Sequence, residues 1–254
     1  MTGTLVQNQD AGSVRTLTLD SPHNRNALSS QLVNELADGL HRAAADDAVR
    51  LIVVTGTGTV FCSGADLSER GTAATSRLPE IMETMRSSPV PVLVRVNGHT
   101  RAGGLGLIAA ADMAVAVAAS TFAFSEVRVG VAPAMIMVPA LGVMARRFLS
   151  RTMLTGDVFG ASEAAAAGLL TAVVEDTDEL DAWVEGVATS LRKSAPGAVA
   201  ATKALLTELP EVPWTEGLAA AQSRSAALFA GEEATEGMEA FLLKRTPSWD
   251  VSGA

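Results

Sequence analysis

Residue types that form disulfides, metal sites and phosphate-binding faces are scarce in this 254-residue chain. Cys62 is the only cysteine, which excludes an internal disulfide and a cysteine-rich zinc site. The three histidines, His23, His41 and His99, are far apart in the sequence, so a histidine-based metal site is not expected. Lysine and arginine number 19 against 28 aspartates and glutamates, a net charge of −9. Because binding to a phosphate backbone needs a basic face, nucleic acid is not an expected partner.

Long uninterrupted apolar segments are also missing, although hydrophobic residues make up 48% of the chain. The segment Ala102–Phe124 carries Asp112 at its centre, and Val129–Ala145 contains two prolines and is shorter than the ~20 residues that span a bilayer. Residues 1–20 are polar and lack the hydrophobic region of a secretory signal. We therefore expect a cytoplasmic protein with no membrane partner, folded as one large domain or as one domain with an appendage.

Hydrophobic periodicity divides the chain into an alternating first half and a helical second half. Four segments have the pattern of strands: Val14–Leu19, Leu51–Thr55, Val92–Val96 and Met113–Ala118. Ser29 can cap a helix whose apolar residues recur at helical spacing. Loops are predicted at 61–66 and 97–102, with a polar helical stretch ending near Ser88 between them and a small-residue helix from Gly103 after them.

After Pro133 the composition favours helices throughout. The predicted helices are Ala140–Leu149, Ser162–Ala167, Asp178–Ser194, Val199–Leu209, Thr215–Phe229 and Glu232–Arg245. Strands that alternate with helices and are followed by helices alone predict an α/β fold with a helical C-terminal part.

Two glycine-containing loops could present backbone N–H groups to a ligand. Gly103 and Gly104 stand at the predicted start of a helix, where unpaired N–H groups and the helix dipole favour negative charge. The loop at 61–66 offers another N–H group. Two convergent N–H groups form an oxyanion hole, which stabilises charge developing on a carbonyl oxygen. The alternative for these glycines is a tight turn with close helix packing.

Seven short motifs, taken together and in this order, resemble the crotonase superfamily of enoyl-CoA hydratases and isomerases. They are RNALS at 25–29, FCSGADL at 61–67, VNGHTRAGG at 96–104, FAFSEV at 122–127, LTG at 154–156, AAAAGL at 164–169 and FLLKRTP at 241–247. The resemblance covers roughly residues 5–249. It implies a spiral of β-β-α repeats in residues 1–195 and a helical region at 196–254 that mediates assembly into a homotrimer or a dimer of trimers. It also implies an acyl-CoA thioester substrate and no metal or redox cofactor.

The resemblance assigns roles to residues in these motifs. It implies that the N–H groups of Ala65 and Gly103 form the oxyanion hole and that Glu126 is the catalytic acid or base. The positions that match substrate-binding residues are Arg25, Ala27, Ser63, Gly64, Asp66, Leu67, Gly104, Gly106 and Lys244.

The sequence around Glu126 is apolar, with Phe122, Phe124, Val127 and Val129 nearby. Burial among such side chains raises the pKa of a carboxyl group, which suits a general acid or base near neutral pH. The alternative is a surface glutamate paired with Arg128.

One position departs from the pattern of the family's hydratases. These enzymes carry a second, water-activating glutamate three residues after the oxyanion-hole glycine, where this chain has Gly106. We expect the glycine to leave space that could admit a bulkier acyl group. The resemblance predicts hydration of a 2-enoyl-CoA. The alternatives are isomerisation, in which Glu126 alone moves a proton between C2 and C4, and acyl-CoA binding with weak catalysis.

A dinucleotide-binding domain is the competing enzyme class, because Gly104–Ala109 fits the G-x-G-x-x-A pattern. Six residues separate Val96 from Gly103, whereas that fingerprint follows its strand directly, so we expect no dinucleotide.

Other polar or reactive side chains in or near these motifs have ordinary explanations. Asp66 and Asp112 are expected to be structural, and Cys62 is expected to be a small buried residue. His99 could contact substrate or be a hydrogen-bonded loop residue.

Overall fold

Two β-sheets carry the fold of the computed structural model, which describes residues 3–69 and 77–252. The strands in these residues are β1 (Val6–Ala11), β2 (Val14–Leu19), β3 (Leu51–Gly56), β4 (Val60–Cys62), β5 (Val92–Val96), β6 (His99–Arg101), β7 (Met113–Val117), β8 (Thr121–Ala123), β9 (Phe159–Gly160) and β10 (Ala172–Val174). The main sheet has the order β1-β2-β3-β5-β7-β10 and is parallel except for β1. The smaller sheet has the order β4-β6-β8-β9 and is parallel except for β9.

The helices in the same residues lie around these sheets. They are α1 (Ser30–Ala44), α2 (Leu78–Ser87), α3 (Gly103–Ala110), α4 (Ala134–Val143), α5 (Arg146–Thr155), α6 (Ala161–Ala166), α7 (Thr177–Arg192), α8 (Pro196–Glu208), α9 (Trp214–Phe229) and α10 (Glu232–Leu243). Short 3₁₀ turns cover Pro22–Asn24, Glu126–Val129 and Leu209–Glu211.

Chain order and sheet order together give a repeating unit. β3-β4-α2, β5-β6-α3 and β7-β8-α4 each place one strand in the main sheet, the next in the smaller sheet, and then a helix. This arrangement confirms the expected spiral of β-β-α repeats and the α/β class.

The central strands of the main sheet are buried on both faces because their side chains alternate between two apolar layers. Ile52 and Val54 of β3 join the layer that includes the apolar faces of α1, α2 and α3. Leu51 and Val53 of the same strand join a second layer that includes the apolar face of α7. A strand buried on both sides reads as a continuous apolar run, which is why LIVV at 51–54 could be recognised.

Several predicted elements coincide with the observed ones, and the differences have local causes. Strands β2 and β5 have the predicted limits, and Ser29 caps α1 by accepting a hydrogen bond from the Leu32 N–H. The loop predicted at 97–102 contains β6, a strand too short and polar to be recognised. Part of the polar helical stretch predicted before Ser88 falls in 70–76, outside the described residues.

The helix predicted at Ala140–Leu149 is wrong. α4 ends at Val143, and Met144 is extended (φ −108°, ψ 149°) before α5 begins at Arg146. Gly142 stands two residues before Met144, a local signal for the end of a helix that the predicted range runs through.

The C-terminal helices are joined to the spiral through a buried lysine of α8. Lys203 is 6% exposed, and its Nζ lies 2.6 Å from Asp112 Oδ2. It also donates hydrogen bonds to the carbonyl oxygens of Met85 (2.8 Å) and Val90 (3.2 Å). Asp112 in turn accepts a hydrogen bond from the Val92 N–H (2.7 Å), so the expectation that this residue is structural is confirmed.

Large apolar side chains remain exposed on the same C-terminal helices. They include Trp214, Leu218, Phe229, Phe241, Leu242 and Leu243, of which Phe241 is 83% exposed. Trp183 of α7 packs against the second apolar layer, and the Trp249 indole N–H donates to the Lys193 carbonyl oxygen (3.2 Å). No helix within the described ranges is long and apolar enough to cross a membrane.

Candidate active site

Two asparagines build the loop between β2 and α1, and sequence reasoning missed both. Asn26 is buried and has a positive φ of 56°, a conformation that asparagine adopts more readily than most residues. Its Oδ1 accepts a hydrogen bond from the Ser21 N–H (2.9 Å). Its Nδ2 donates to the carbonyl oxygens of Thr57 (3.1 Å) and Val60 (2.9 Å), which ties this loop to the segment around β4.

Asn24 joins the same loop to the second motif. Its Nδ2 donates to Asp66 Oδ2 (3.0 Å), and its carbonyl oxygen accepts from Ser63 Oγ (3.0 Å). The Arg25 carbonyl oxygen accepts from the Ser63 N–H (3.1 Å). Hydrogen bonds from Ser68 lower the pKa of Asp66, which anchors the loop as expected. Three predicted substrate-binding residues are thus brought together.

Ala65 follows a sharp turn and presents an unpaired backbone donor. Gly64 has φ 94°, where a side chain would be strained. The Leu28 N–H donates to the Gly64 carbonyl oxygen (2.8 Å), and the Asp66 N–H donates to the Leu28 carbonyl oxygen (3.4 Å). These two bonds form one parallel bridge between Leu28 and Ala65 and leave the Ala65 N–H without an acceptor in the described part of the chain.

The start of α3 supplies the second unpaired donor. Ala102, just before the helix, has φ 47° and ψ −120°, a conformation that costs a non-glycine residue about 1–3 kcal/mol. The Ala102 N–H donates to the Ala123 carbonyl oxygen (3.0 Å), which fixes this strained residue against β8. The Gly103 N–H has no acceptor among residues 3–69 and 77–252.

The two donor-bearing segments touch each other. A Cβ atom at Gly64 would lie 2.9 Å from the Ala102 Cβ, and one at Gly103 would lie 2.7 Å from Leu28 Cδ1. Ala65 and Gly103 are the next residues along these contacting segments. Two unpaired N–H groups in such neighbouring positions can bind one carbonyl oxygen and stabilise negative charge on it.

Glu126 begins the 3₁₀ turn after β8 and is half-buried. Its Oε2 atom is buried and has no hydrogen-bond partner among the described residues. Burial raises the pKa of this carboxyl group, as expected from its apolar neighbours. The alternative pairing with Arg128 does not form, because Arg128 Nη2 lies 2.9 Å from Asp157 Oδ1 instead.

The four apolar residues near Glu126 in the sequence differ in their burial. Phe122 and Phe124 are fully buried, whereas Val127 is 36% and Val129 58% exposed. Of these four residues, only the two phenylalanines therefore belong to the buried core.

Gly106 does not leave the expected space. A Cβ atom there would lie 2.5 Å from Ile136 Cγ2 and 3.3 Å from Met82 Sδ. Side chains of α4 and α2 thus fill the place beside Gly106, so the prediction of room for a bulkier acyl group is wrong. Sequence reasoning missed both residues, since only the packing of three helices brings them together.

The remaining predicted substrate-binding residues differ in exposure. Ala27 and Gly104 are buried, and Gly104 packs against Cys62 and Thr100. Leu67, which directly follows Asp66, is exposed. Lys244 follows the last residue of α10. No hydrogen bond or ion pair in the described residues joins it to the other candidate substrate-binding residues.

The environments of Cys62 and His99, two residues that could have been reactive, indicate structural roles. Cys62 is fully buried, and burial raises the pKa of its thiol to about 12. His99 Nδ1 lies 3.0 Å from Thr121 Oγ1 and accepts a hydrogen bond from the Thr121 N–H (3.2 Å), which favours the hydrogen-bonded loop residue. Among the residues that the structure describes, no cluster of histidine, cysteine or acidic side chains could hold a metal ion.

A separate groove of about 770 Å³ lies on the face of the main sheet that α7 covers in part. Val14, Thr16, Val53, Thr55 and Arg95 line it from the strands. None of the candidate site residues borders this groove, so it is distinct from the site around Glu126.

Comparison with known proteins gives consistent matches along the whole chain. The sequence model of a family described as enoyl-CoA hydratase/isomerase matches residues 9–252. The mitochondrial enoyl-CoA hydratase domain-containing protein 3 of Mus musculus is 33% identical over 256 residues, covering 96% of this chain and 84% of that protein. The 2,3-dehydroadipyl-CoA hydratase of Escherichia coli is 31% identical over 245 residues, covering 93% and 94%. The crystal structure of an enoyl-CoA hydratase from Mycobacterium smegmatis has a TM-score of 0.90 at 31% identity, covering 96% and 98%.

Proposed function

The chain belongs to the enoyl-CoA hydratase/isomerase family, and from that premise we propose that it moves a proton at the carbon next to the thioester carbonyl of an acyl-CoA. Glu126 is the acid and base in this proposal. The observation that carries it is the buried, unpartnered Oε2 of Glu126, because a carboxyl group with a raised pKa exchanges protons efficiently near neutral pH.

The thioester oxygen binds between Ala65 and Gly103 in this proposal. Removal of a proton next to the carbonyl places negative charge on that oxygen, and the two unpaired N–H groups stabilise it. Loss of one such donor raises a barrier by roughly 3–4 kcal/mol in enzymes that use them. Arg25 and Lys244 are proposed to bind the CoA portion, and no metal or redox cofactor is required.

Isomerisation of a 3-enoyl-CoA to a 2-enoyl-CoA is the reaction that the geometry favours, because it needs one carboxylate. The Glu126 carboxylate removes a proton from C2, and the C–H electron pair forms a dienolate whose charge lies on the thioester oxygen. The same carboxyl group returns the proton to C4, which leaves the double bond between C2 and C3. Ile136 and Met82 support this choice, since the side chains beside Gly106 supply no second carboxylate.

Hydration of a 2-enoyl-CoA is the second candidate. The names of similar proteins favour it, since the Escherichia coli relative is a 2,3-dehydroadipyl-CoA hydratase. Hydration by this chain needs a group other than residue 106 to activate water, or water activation by Glu126 itself.

The experiment is mass spectrometry of trans-3- and trans-2-enoyl-CoA substrates incubated with the protein in deuterium oxide. We expect the trans-3 substrate to become the 2-enoyl isomer without addition of water, and Glu126→Gln to lower kcat by at least about a hundredfold. Glu211→Gln, at an exposed glutamate of the Leu209–Glu211 turn, is the matched control. Water addition that depends on Glu126 would establish hydration instead. Tight acyl-CoA binding without turnover would reject an enzymatic role.

The assembly and location of the protein are further parts of the proposal. The exposed apolar side chains of α9 and α10 support a homotrimer or a dimer of trimers in which residues 196–254 mediate contacts between copies. We propose a cytoplasmic location. The Mus musculus relative is a mitochondrial protein, so cell fractionation should test for this chain in both compartments.

A further inference from the structure

Arg128 bridges two parts of the chain that are remote in sequence. It lies in the same 3₁₀ turn as Glu126, and its Nη2 lies 2.9 Å from Asp157 Oδ1. Its Nε donates to the Thr155 carbonyl oxygen (3.3 Å), the last residue of α5. A cation at the C-terminal end of a helix is also favoured by the helix dipole.

Gly156 provides the room for this bridge. It has φ 67°, and a Cβ atom there would lie 2.9 Å from Arg128 Nε and 3.0 Å from Arg128 Cγ. Any larger residue would therefore push the arginine side chain off the end of α5. The LTG motif at 154–156 thus places a glycine and a carbonyl group where Arg128 needs them.

Few other interactions hold the turn that carries Glu126. Residues 127–132 are all exposed, so burial does not fix their positions. The hydrogen bonds within the turn are local, from the Arg128 N–H to the Ser125 carbonyl oxygen (3.0 Å) and from the Val131 N–H to the Glu126 carbonyl oxygen (3.2 Å). Among the side chains of residues 127–132, Arg128 alone forms hydrogen bonds to another element of the described structure.

The pair with Asp157 adds little to global stability. Both side chains are more than half exposed, at 60% and 56%, and exposed ion pairs stabilise proteins only weakly. Removal of the pair should therefore leave the fold intact. Its effect should be local, on the position of the residue that begins the turn.

We infer that Arg128 is a positioning residue, which holds the turn of Glu126 against the end of α5 through Thr155 and Asp157. This inference rests on the proposed role of Glu126. Displacement of a catalytic group by about 1 Å can lower a rate a hundredfold, so even a modest loosening is measurable in kcat. In the described residues no hydrogen bond or ion pair joins the Arg128 side chain to Glu126, Ala65 or Gly103, so substrate binding should be spared.

The test compares Arg128→Ala, Asp157→Ala, their double variant and Arg128→Lys. We expect each alanine variant to lower kcat about tenfold with KM changed less than about twofold. The double variant should resemble Arg128→Ala, which removes both the pair with Asp157 and the hydrogen bond to Thr155. Lysine can keep the ion pair but not both hydrogen bonds, so Arg128→Lys should recover part of the lost kcat.

Arg151→Ala is the matched control. Arg151 lies on α5 and forms an equally exposed pair with Glu163, 2.9 Å between Nη2 and Oε1, that does not involve the turn of Glu126. We expect its kcat to stay within about twofold of the parent value. Equal kcat for Arg128→Ala and Arg151→Ala would overturn the inference.

Hydrogen exchange separates this inference from the proposed function. The Val131 amide donates a hydrogen bond to the Glu126 carbonyl oxygen. Its rate of hydrogen exchange should rise at least about tenfold in Arg128→Ala and stay at the parent value in Arg151→Ala. If no substrate turns over but this exchange accelerates, the proposed function fails and the positioning role stands. If exchange at Val131 is unchanged in Arg128→Ala, the positioning role fails whatever the activity.

Discussion

The pKa of the Glu126 carboxyl group is raised by burial, while the nearest arginine in the sequence, Arg128, is engaged by Asp157. In the proposed function these two residues thus have separate roles, with Glu126 exchanging protons and Arg128 binding α5. A lysine or arginine directly paired with Glu126 would lower the pKa and weaken the carboxylate as a base. The exposed pairing of Arg128 therefore keeps the chemistry of Glu126 available.

The raised pKa has consequences for both activity and stability. As the base, Glu126 must be ionised, so kcat/KM should rise with pH through a pKa above the ordinary value of 4.5. The folded chain binds this proton more tightly than the unfolded chain, so the associated stability is present below pH 4.5 and is lost as pH rises through the folded pKa. Glu126→Gln should therefore raise Tm at pH 7–8 and leave it nearly unchanged at about pH 4.

Tm measured across this pH range for both proteins checks the prediction. A Tm difference that stays constant with pH would contradict the assignment of the raised pKa to Glu126.

Gly106 and Ile136 form a coupled pair, so restoring a glutamate at position 106 needs two changes. Gly106→Glu alone should overpack the contact with Ile136, lower the free energy of unfolding by about 1–3 kcal/mol and give no hydration. Gly106→Glu combined with Ile136→Ala should fold better and add water to a 2-enoyl-CoA. Mass spectrometry of the product and urea unfolding check both parts, with Ile136→Ala as the control. Equal hydration by the single and double variants would show that Ile136 does not restrict this position.

The candidate site residues of the proposal stand in motifs that are visible in the sequence, whereas the packing of side chains around them could not be predicted. Ala65, Gly103 and Glu126 stand in recognisable motifs, and the structure brings the first two onto touching segments. Ile136 became relevant only because α4 packs on α3, a contact between distant parts of the chain. Asn26 had a local signal, its tolerance of positive φ, that was not used.

At the scale of elements, the parallel strands were predictable and the short or interrupted ones were not. β3 and β5 are buried and apolar, so their patterns are strong. β6 has three residues and gains its stability from pairing with β4 and β8, which local sequence cannot reveal. The break between α4 and α5 falls at Met144, two residues after Gly142, whose low helix propensity is a local signal that the helical composition on both sides obscures.

The attachment of α8 to the spiral depends on Lys203. Lys203→Ala should lower the free energy of unfolding by about 3 kcal/mol, because it leaves the partly buried Asp112 carboxylate without its cation. Lys193→Ala, at the exposed end of α7, is the control and should change it by less than about 0.5 kcal/mol. Urea unfolding of the three proteins checks the difference. Equal midpoints for the two variants would show that the buried pair does not stabilise the fold.

At the scale of the whole molecule, exposed apolar side chains lie on the C-terminal helices and also in the segment from Val127 to Val158. Isolated exposed apolar residues are common, but a contiguous set on two neighbouring helices marks an interaction surface. The proposed trimer explains this exposure without a different partner, since each copy can cover the surface of another.

Light scattering coupled to gel filtration checks the proposed assembly. The parent protein should have the mass of three or six chains of 26.1 kDa, and Phe241→Asp should reduce it to that of smaller species. Leu154→Asp, at a similarly exposed leucine of α5, should keep the assembled mass. Loss of assembly in Leu154→Asp but not in Phe241→Asp would place the interface on α5.

The positions of the aromatic residues determine what optical methods can see. The chain has no tyrosine, and its three tryptophans, Trp183, Trp214 and Trp249, all lie in α7, in α9 or after α10. Indole fluorescence from Trp214 and Trp249 therefore reports on the last part of the chain, and Trp183 reports on the face of the main sheet that α7 covers. Far-ultraviolet circular dichroism observes the helices and strands of the whole fold. Two-state unfolding requires the two signals to change together. In a Trp183→Phe variant, fluorescence that changes first would show the C-terminal helices separating from a spiral that is still folded.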